Sequence, residues 1–253
     1  MAFDSDKRLD TRTGYMNRAE ADQAMIDVGL RQHMLKVYNY MASGLTLTGI
    51  VAYAAGNSPA IMSLLYAPGA GGALSPTILA WIVMLAPIGM VFFLAARIHA
   101  LKAQTAQTMF WVYSALMGLS LANIFIVFTG ASIARVFFIT AATFGAMSLY
   151  GYTTKRDLSG FGSFLMMGLI GIIIASVVNL FMQSAAMHFV ISVVGVLVFA
   201  GLTAYDTQEI KSIYLESDDS EVSGKKAILG ALKLYLDFIN IFVMLLQLFG
   251  DRR

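Results

Sequence analysis

Seven stretches of this chain, at residues 34–56, 76–98, 106–129, 132–153, 161–183, 186–206 and 229–249, are mostly apolar. Each reaches the roughly 20 residues that a helix needs to cross the ~30 Å hydrocarbon core of a bilayer. Nothing else in the sequence restricts the fold as strongly. Of 253 residues, 58% are hydrophobic and 13% are charged, where a soluble domain carries roughly 25% charged residues. The chain has too little polar surface to face water all round, which excludes a soluble enzyme. Runs such as Met166 to Ala175 and Val190 to Ala200 are continuous rather than alternating, which favours helices over porin-like strands. The expected fold is an all-α integral membrane protein of seven transmembrane helices spanning residues 31–253.

Residues 1–30 are polar (Asp4, Asp6, Lys7, Arg8, Asp10, Arg12) and read as a cytoplasmic N-terminal tail without the pattern of a cleaved signal peptide. Seventeen Lys and Arg orient the bundle. With the N-terminus inside, fourteen of them fall on the inner side and only Arg135, Arg252 and Arg253 fall outside, as the positive-inside rule requires. Arg252 and Arg253 then sit on the wrong side. Either a short tail tolerates them or the last helix is re-entrant, and the reading favours a full crossing. The segment 207–228, with Glu209, Glu216, Asp218, Asp219 and Glu221, is read as a solvated inner loop without calcium-loop spacing. The stretch 57–75 is an uncharged outer loop, and Gly-Leu-Thr-Leu at 44–47 and Gly-Leu-Ser-Leu at 118–121 hint at a repeat.

The informative residues are charges inside spans. An ionisable side chain there costs at least ~2.5–3.5 kcal/mol on insertion scales and marks a functional site by default. Asp237 lies about eight residues into the last span, on the order of 12 Å below the border at 1.5 Å per residue. Asp206 ends the sixth span and Arg97 ends the second, both on the same half of the membrane. On the last helix Lys233, Asp237, Asn240, Met244, Gln247 and Asp251 are spaced four and three apart and share one face. Such a stripe cannot face lipid, so the last helix is expected at the centre, with its stripe along a buried polar path. His188, Ser192, Gly195 and Asp206 form a sparser version on the sixth span.

Two carboxylates and one arginine leave one acid to be protonated or to bind another cation. If the acids meet they titrate as a unit: ionised, the pair repels or binds a cation; singly protonated, it closes in a shared hydrogen bond. A purely structural ion-pair network is the competing reading. Calcium wants six to eight oxygens, so two aspartates would leave it most of its water or need backbone carbonyls. From chemistry alone the path is for a cation or a proton, with no resident cofactor.

Other polar and flexible residues take plainer readings. Met166, Met167 and Met182 are packing filler, and Asn123 and Asn179 are interhelical hydrogen-bond glue. Asp157 and Ser159 cap the fifth helix, and Trp81 and Trp111 are interface or packing aromatics. His33, His99 and His188 are too far apart to suggest a metal site, no Gly-x-Gly-Asp pattern surrounds either acid, and Lys233 lies too near the start of its span to carry a retinal. No enzyme is expected. A net charge of +2 is too near balance for nucleic-acid binding, and the absence of cysteine removes disulfides and thiolate chemistry.

Two stretches carry a resemblance: Ala204-Tyr205-Asp206-Thr207-Gln208-Glu209-Ile210-Lys211, and Ala231-Leu232-Lys233-Leu234-Tyr235-Leu236-Asp237-Phe238-Ile239-Asn240-Ile241-Phe242. With Met147-Ser148-Leu149-Tyr150-Gly151-Tyr152-Thr153-Thr154-Lys155-Arg156-Asp157-Leu158-Ser159, the chain resembles the Bax-inhibitor (transmembrane Bax-inhibitor-motif) family in its bacterial branch, from about residue 30 onward. The resemblance implies seven helices around a central last one, a multi-pass protein of the bacterial inner membrane, and a pH-sensitive calcium leak. Asp206 and Asp237 match the family's sensing pair and Arg97 its latch. Some relatives carry an acid about eleven residues before that arginine, where this chain has Ala86. The family is also linked to cell-death suppression and control of a membrane protease, which makes a regulatory partner without transport the alternative function.

Overall fold

A computed structural model describes residues 28–69, 75–98 and 100–253 in full, and residues 3–27 and 74 by backbone alone. His99, Gly71 and Gly72 lie outside the described residues, as do the side chains of the polar tail. The elements are α1 (Phe3–Gly56), α2 (Pro59–Leu65), β1 (Tyr66–Pro68), β2 (Leu74–Pro76), α3 (Ile78–Arg97), α4 (Ala103–Ser120), α5 (Ile124–Val127), α6 (Gly130–Thr153), α7 (Ser159–Met182), α8 (Ala185–Ser212) and α9 (Ser220–Phe249).

The helix starts follow ordinary capping chemistry. Ser58, Thr77, Thr129, Ser184 and Asp219 each accept a backbone N–H from the first turn of the helix they precede, satisfying a donor that has no partner within the helix. Asp157 accepts the Ser159 N–H at 2.8 Å at the start of α7. Its hydrogen bonds from Ser159, side chain before backbone, hold its carboxyl below the usual range, so this contact persists at neutral pH and is lost only on strong acidification. Between α7 and α8 the chain reverses at Gln183, whose φ of 50° is left-handed, and Asn179 Oδ1 accepts the Ser184 N–H at 3.0 Å. Asn179 is therefore a turn residue rather than glue between helices.

Among the described residues six segments are long and apolar enough to cross a membrane: α3, α4 with α5, α6, α7, α8 and α9. The expected seventh, within α1, is not among them; its stretch is interrupted by Lys36, Asn39, Ser43, Thr46 and Thr48. It still packs along α4 and α9. This is an all-α membrane protein with its last helix at the centre: α9 contacts α1, α4, α6 and α8, and two-thirds of its apolar window is buried, against 11–33% in the other five. The two glycines of the apparent repeat both serve the α1–α4 contact. A Cβ on Gly44 would lie 2.7 Å from Phe110 Cζ, and one on Gly118 2.7 Å from the Thr48 carbonyl oxygen. Small residues mark where the backbones approach, as in membrane bundles generally.

Three expectations change. The outer loop 57–75 contains α2 and a short antiparallel pairing, with Tyr66 opposite Pro76 and Ala67 opposite Ser75. The segment 207–228 is not a long solvated loop, because α8 runs on to Ser212 and α9 begins at Ser220. Three of its acids are committed here: Glu221 Oε1 accepts the Ala103 N–H at 2.6 Å and so caps α4, Asp218 pairs with Lys226 at 2.5 Å, and Asp219 caps α9. Met166, Met167 and Met182 are not filler; Met167 and Met182 are 64% and 60% exposed, where lipid accepts apolar atoms without cost, and Met166 lines a cavity between α7, α8 and α9.

The last helix is unbroken from Ser220 to Phe249. Its 30 residues extend roughly 45 Å, and the chain end docks on the α5–α6 connection. The Thr129 N–H bonds the Asp251 carbonyl (2.9 Å), the Arg253 N–H bonds the Val127 carbonyl (3.0 Å), and Arg135 pairs with Asp251 (2.9 Å). This C-terminal end of the bundle is opposite the basic end, where the α6–α7 and α8–α9 connections meet. There Gln208 Oε1 accepts the Leu158 N–H at 2.8 Å and the Lys211 ammonium reaches the Tyr152 carbonyl at 2.9 Å.

Candidate functional site: a carboxylate cluster on the central helix

α8 and α9 lie antiparallel, and their side chains meet in a series of polar contacts. Near the C-terminal end the Ser192 hydroxyl donates to Gln247 Oε1 at 3.0 Å. Near the basic end the Lys233 ammonium donates to Glu209 Oε2 at 2.6 Å and lies 3.8 Å from Asp206 Oδ1. Between these contacts Asp206 of α8 and Asp237 of α9 come together on the wall of one cavity.

Asp237 is 4% exposed, and its Oδ2 has no hydrogen-bond donor around it. Two ionised carboxylates only accept, so a contact between them is favourable when one carries a proton or a cation lies nearby. Asp206 is better placed: its side chain keeps 14% exposure and has Lys233 beside it. With Glu209 the cluster holds three acids against one ammonium, an excess of negative charge even after the aspartates share a proton. Among the described residues no three His, Asp or Glu side chains are grouped to hold a metal ion. A cation reaching this cluster would keep much of its water.

The cluster lies on a cavity of about 740 Å³ between α7, α8 and α9, whose polar wall is Asp206, Glu209, Lys233, Asp237 and Asn240 and whose opposite wall includes Met166, Leu169 and Ile173 of α7. The position of α9 is fixed from its other side. The Tyr235 hydroxyl and Thr48 of α1 are 2.6 Å apart, and the Tyr235 ring packs on Tyr113 at 5.3 Å and Phe110 at 6.0 Å. Phe238 packs on Phe137 at 5.5 Å and Phe144 at 5.6 Å. These contacts leave the stripe as the face turned to the cavity. Lys233, Asp237, Asn240 and Met244 line this cavity, and Asn240, Met244 and Gln247 line a second one beyond it.

The fold thus brings Asp206, Asp237 and Lys233 together and strings Asn240 and Gln247 along the same groove. It does not bring Arg97 to them. Arg97 closes α3 with an exposed side chain, α3 packs chiefly on α4, and the cation paired with the acids is Lys233. Glu209 is the member that sequence reasoning missed, because the sixth span was ended at Asp206. The signal was present: no Gly or Pro occurs between Asp206 and Asp219, so the helix continues, and a residue three positions on lies on the same face.

Fold and cluster define a class, a helical membrane protein whose most buried helix carries an acid that comes together with a second acid from its neighbour. The comparisons give the family. Residues 30–253 match the family described as inhibitor of apoptosis-promoting Bax1, and the chain belongs to it. Among similar proteins, the inner membrane protein YbhL of Escherichia coli (strain K12) is 50% identical over 227 residues, covering 89% of this chain and 94% of that one. The protein RP147 of Rickettsia prowazekii is 48% identical over 227 residues, covering 90% and 92%. A protein of Caulobacter vibrioides is 44% identical over 247 residues, covering 96% and 99%.

Proposed function

We propose that this protein resides in a bacterial inner membrane, N-terminus inside, and lets a cation leak along the α7–α8–α9 groove, with the proton shared by Asp206 and Asp237 as the control. Calcium is the ion that the family resemblance implies. The observation that carries the reading is the buried Asp237 carboxylate, with an unpartnered oxygen, together with Asp206 on the wall of a cavity. The inner-membrane relative supports the location.

The sign of the pH dependence follows from the pair. With one shared proton, a carboxyl–carboxylate hydrogen bond holds α8 to α9. Without it, two negative charges repel each other and attract a cation. Flux therefore rises with pH through the titration of the pair. In Asp237→Asn the amide can donate to Asp206 at every pH, so the contact no longer depends on a proton. Purified protein in liposomes loaded with a calcium dye, assayed across acid to alkaline pH, should show rising flux. Asp237→Asn should give low flux with a flat pH profile. An unaltered pH profile in that variant would refute the gating role.

A further inference from the structure

A second cavity of about 740 Å³ lies at the C-terminal end of the same groove, with Asn179, His188, Ser192, Gln247 and Arg252 in its wall. The two cavities share Ser176, Asn240 and Met244. They are stacked along α9, and these three residues form the waist between them. Asn240 is turned along its own helix, its amide donating to the Leu236 carbonyl at 2.8 Å. Met244 is not: its sulfur occupies the space opposite Gly195 of α8, where a Cβ would collide with it. The thioether therefore spans from α9 to α8 at a point where α8 has no side chain.

We propose that Met244, seated on Gly195, is the constriction that separates the two cavities and decides what passes between them. Each cavity has polar side chains on one wall, whereas Met244 presents a thioether at the waist. An apolar constriction stops a hydrated ion by dewetting, and methionine, unbranched with three rotatable bonds, can leave such a seat without disturbing the backbone. Opening then amounts to Met244 swinging off Gly195. The physiological meaning of this gate rests on the cation-path reading above; the constriction itself does not.

The chain contains no cysteine, so single cysteines can report on each cavity without background. His188→Cys lies in the C-terminal cavity and Leu236→Cys in the basic one. In proteoliposomes of known orientation, a membrane-impermeant charged thiosulfonate should label each cysteine from its own face only. Adding Met244→Ala should make each accessible from the far face, with labelling at least tenfold faster than in the parent. Met244→Leu, similar in volume, should keep the sidedness. Met244→Gln, equal in length but polar, is the second opening variant should the alanine fail to fold, and it should also admit the reagent.

Labelling of both cysteines from both faces with Met244 intact would overturn the constriction. So would unchanged sidedness in both opening variants, or reaction of the cysteines only with lipid-soluble reagents, since the cavities would then hold lipid. Calcium flux on the same preparations separates the two readings. Cross-labelling in Met244→Ala without added flux leaves the waist standing and refutes the cation path. A pH-dependent flux that Met244→Ala leaves unchanged, with no cross-labelling, does the reverse.

Discussion

α7 and α9 are comparable in length and both apolar enough to span a membrane, yet they occupy opposite places. α7 buries only Gly162, Leu165 and Ile172 and packs on α8. α9 buries two-thirds of its apolar window and touches four long helices. In water the more apolar helix would be expected inside. Here the helix carrying Lys233, Asp237, Asn240 and Gln247 is inside, while α7 exposes Phe164, Met167 and Phe181. Lipid receives apolar side chains as readily as protein does, so apolarity does not sort helices between core and periphery. The few polar groups do, because each unpaired one costs several kcal/mol in hydrocarbon.

That contrast assigns unequal costs to similar substitutions. Phe238→Ala removes a ring that is 4% exposed and packed on two others. It should destabilise by about 3–5 kcal/mol, read as a lowered thermal midpoint in detergent. Ile170→Asp places on the outer face of α7, 53% exposed, the residue type that α9 carries natively. It should cost ~2.5–3.5 kcal/mol of insertion, seen as loss of protein from the membrane fraction; normal accumulation would remove the claim that this face meets lipid. Gly151→Val drives a side chain into the Ala204 carbonyl across the α6–α8 contact and should cost about 1–3 kcal/mol, again by melting. Tyr235→Phe removes the bond to Thr48 that orients α9 and should cost ~0.6 kcal/mol. Phe181→Ala, at a side chain 82% exposed, should stay within about 0.5 kcal/mol. A large effect there would mean that another chain, and not lipid, covers α7.

Much of the candidate site was legible because charges are rare in the spans. Asp206, Asp237 and the four-and-three spacing from Lys233 to Gln247 can be read directly from the residues. The missing parts depend on distances that spacing does not encode. Glu209 joins only because α8 outruns its apolar stretch by two turns, and Glu221 caps a helix whose first residue is 118 positions away. Met244 reads as one more apolar residue until Gly195 is seen opposite it. Arg97 shows the limit of the family pattern: the residue matches, but α3 leaves it exposed and away from the acids.

By itself the sequence determined that this chain enters a membrane as helices and that its last helix cannot face lipid, because hydropathy and charge are properties of a segment and need no partner to exert their cost. Which acid meets which, which cation answers them and which side chain closes the groove were decided by the tertiary structure. Those outcomes depend on the register of α8 against α9, and register is set by the summed packing of small residues and rings along both helices.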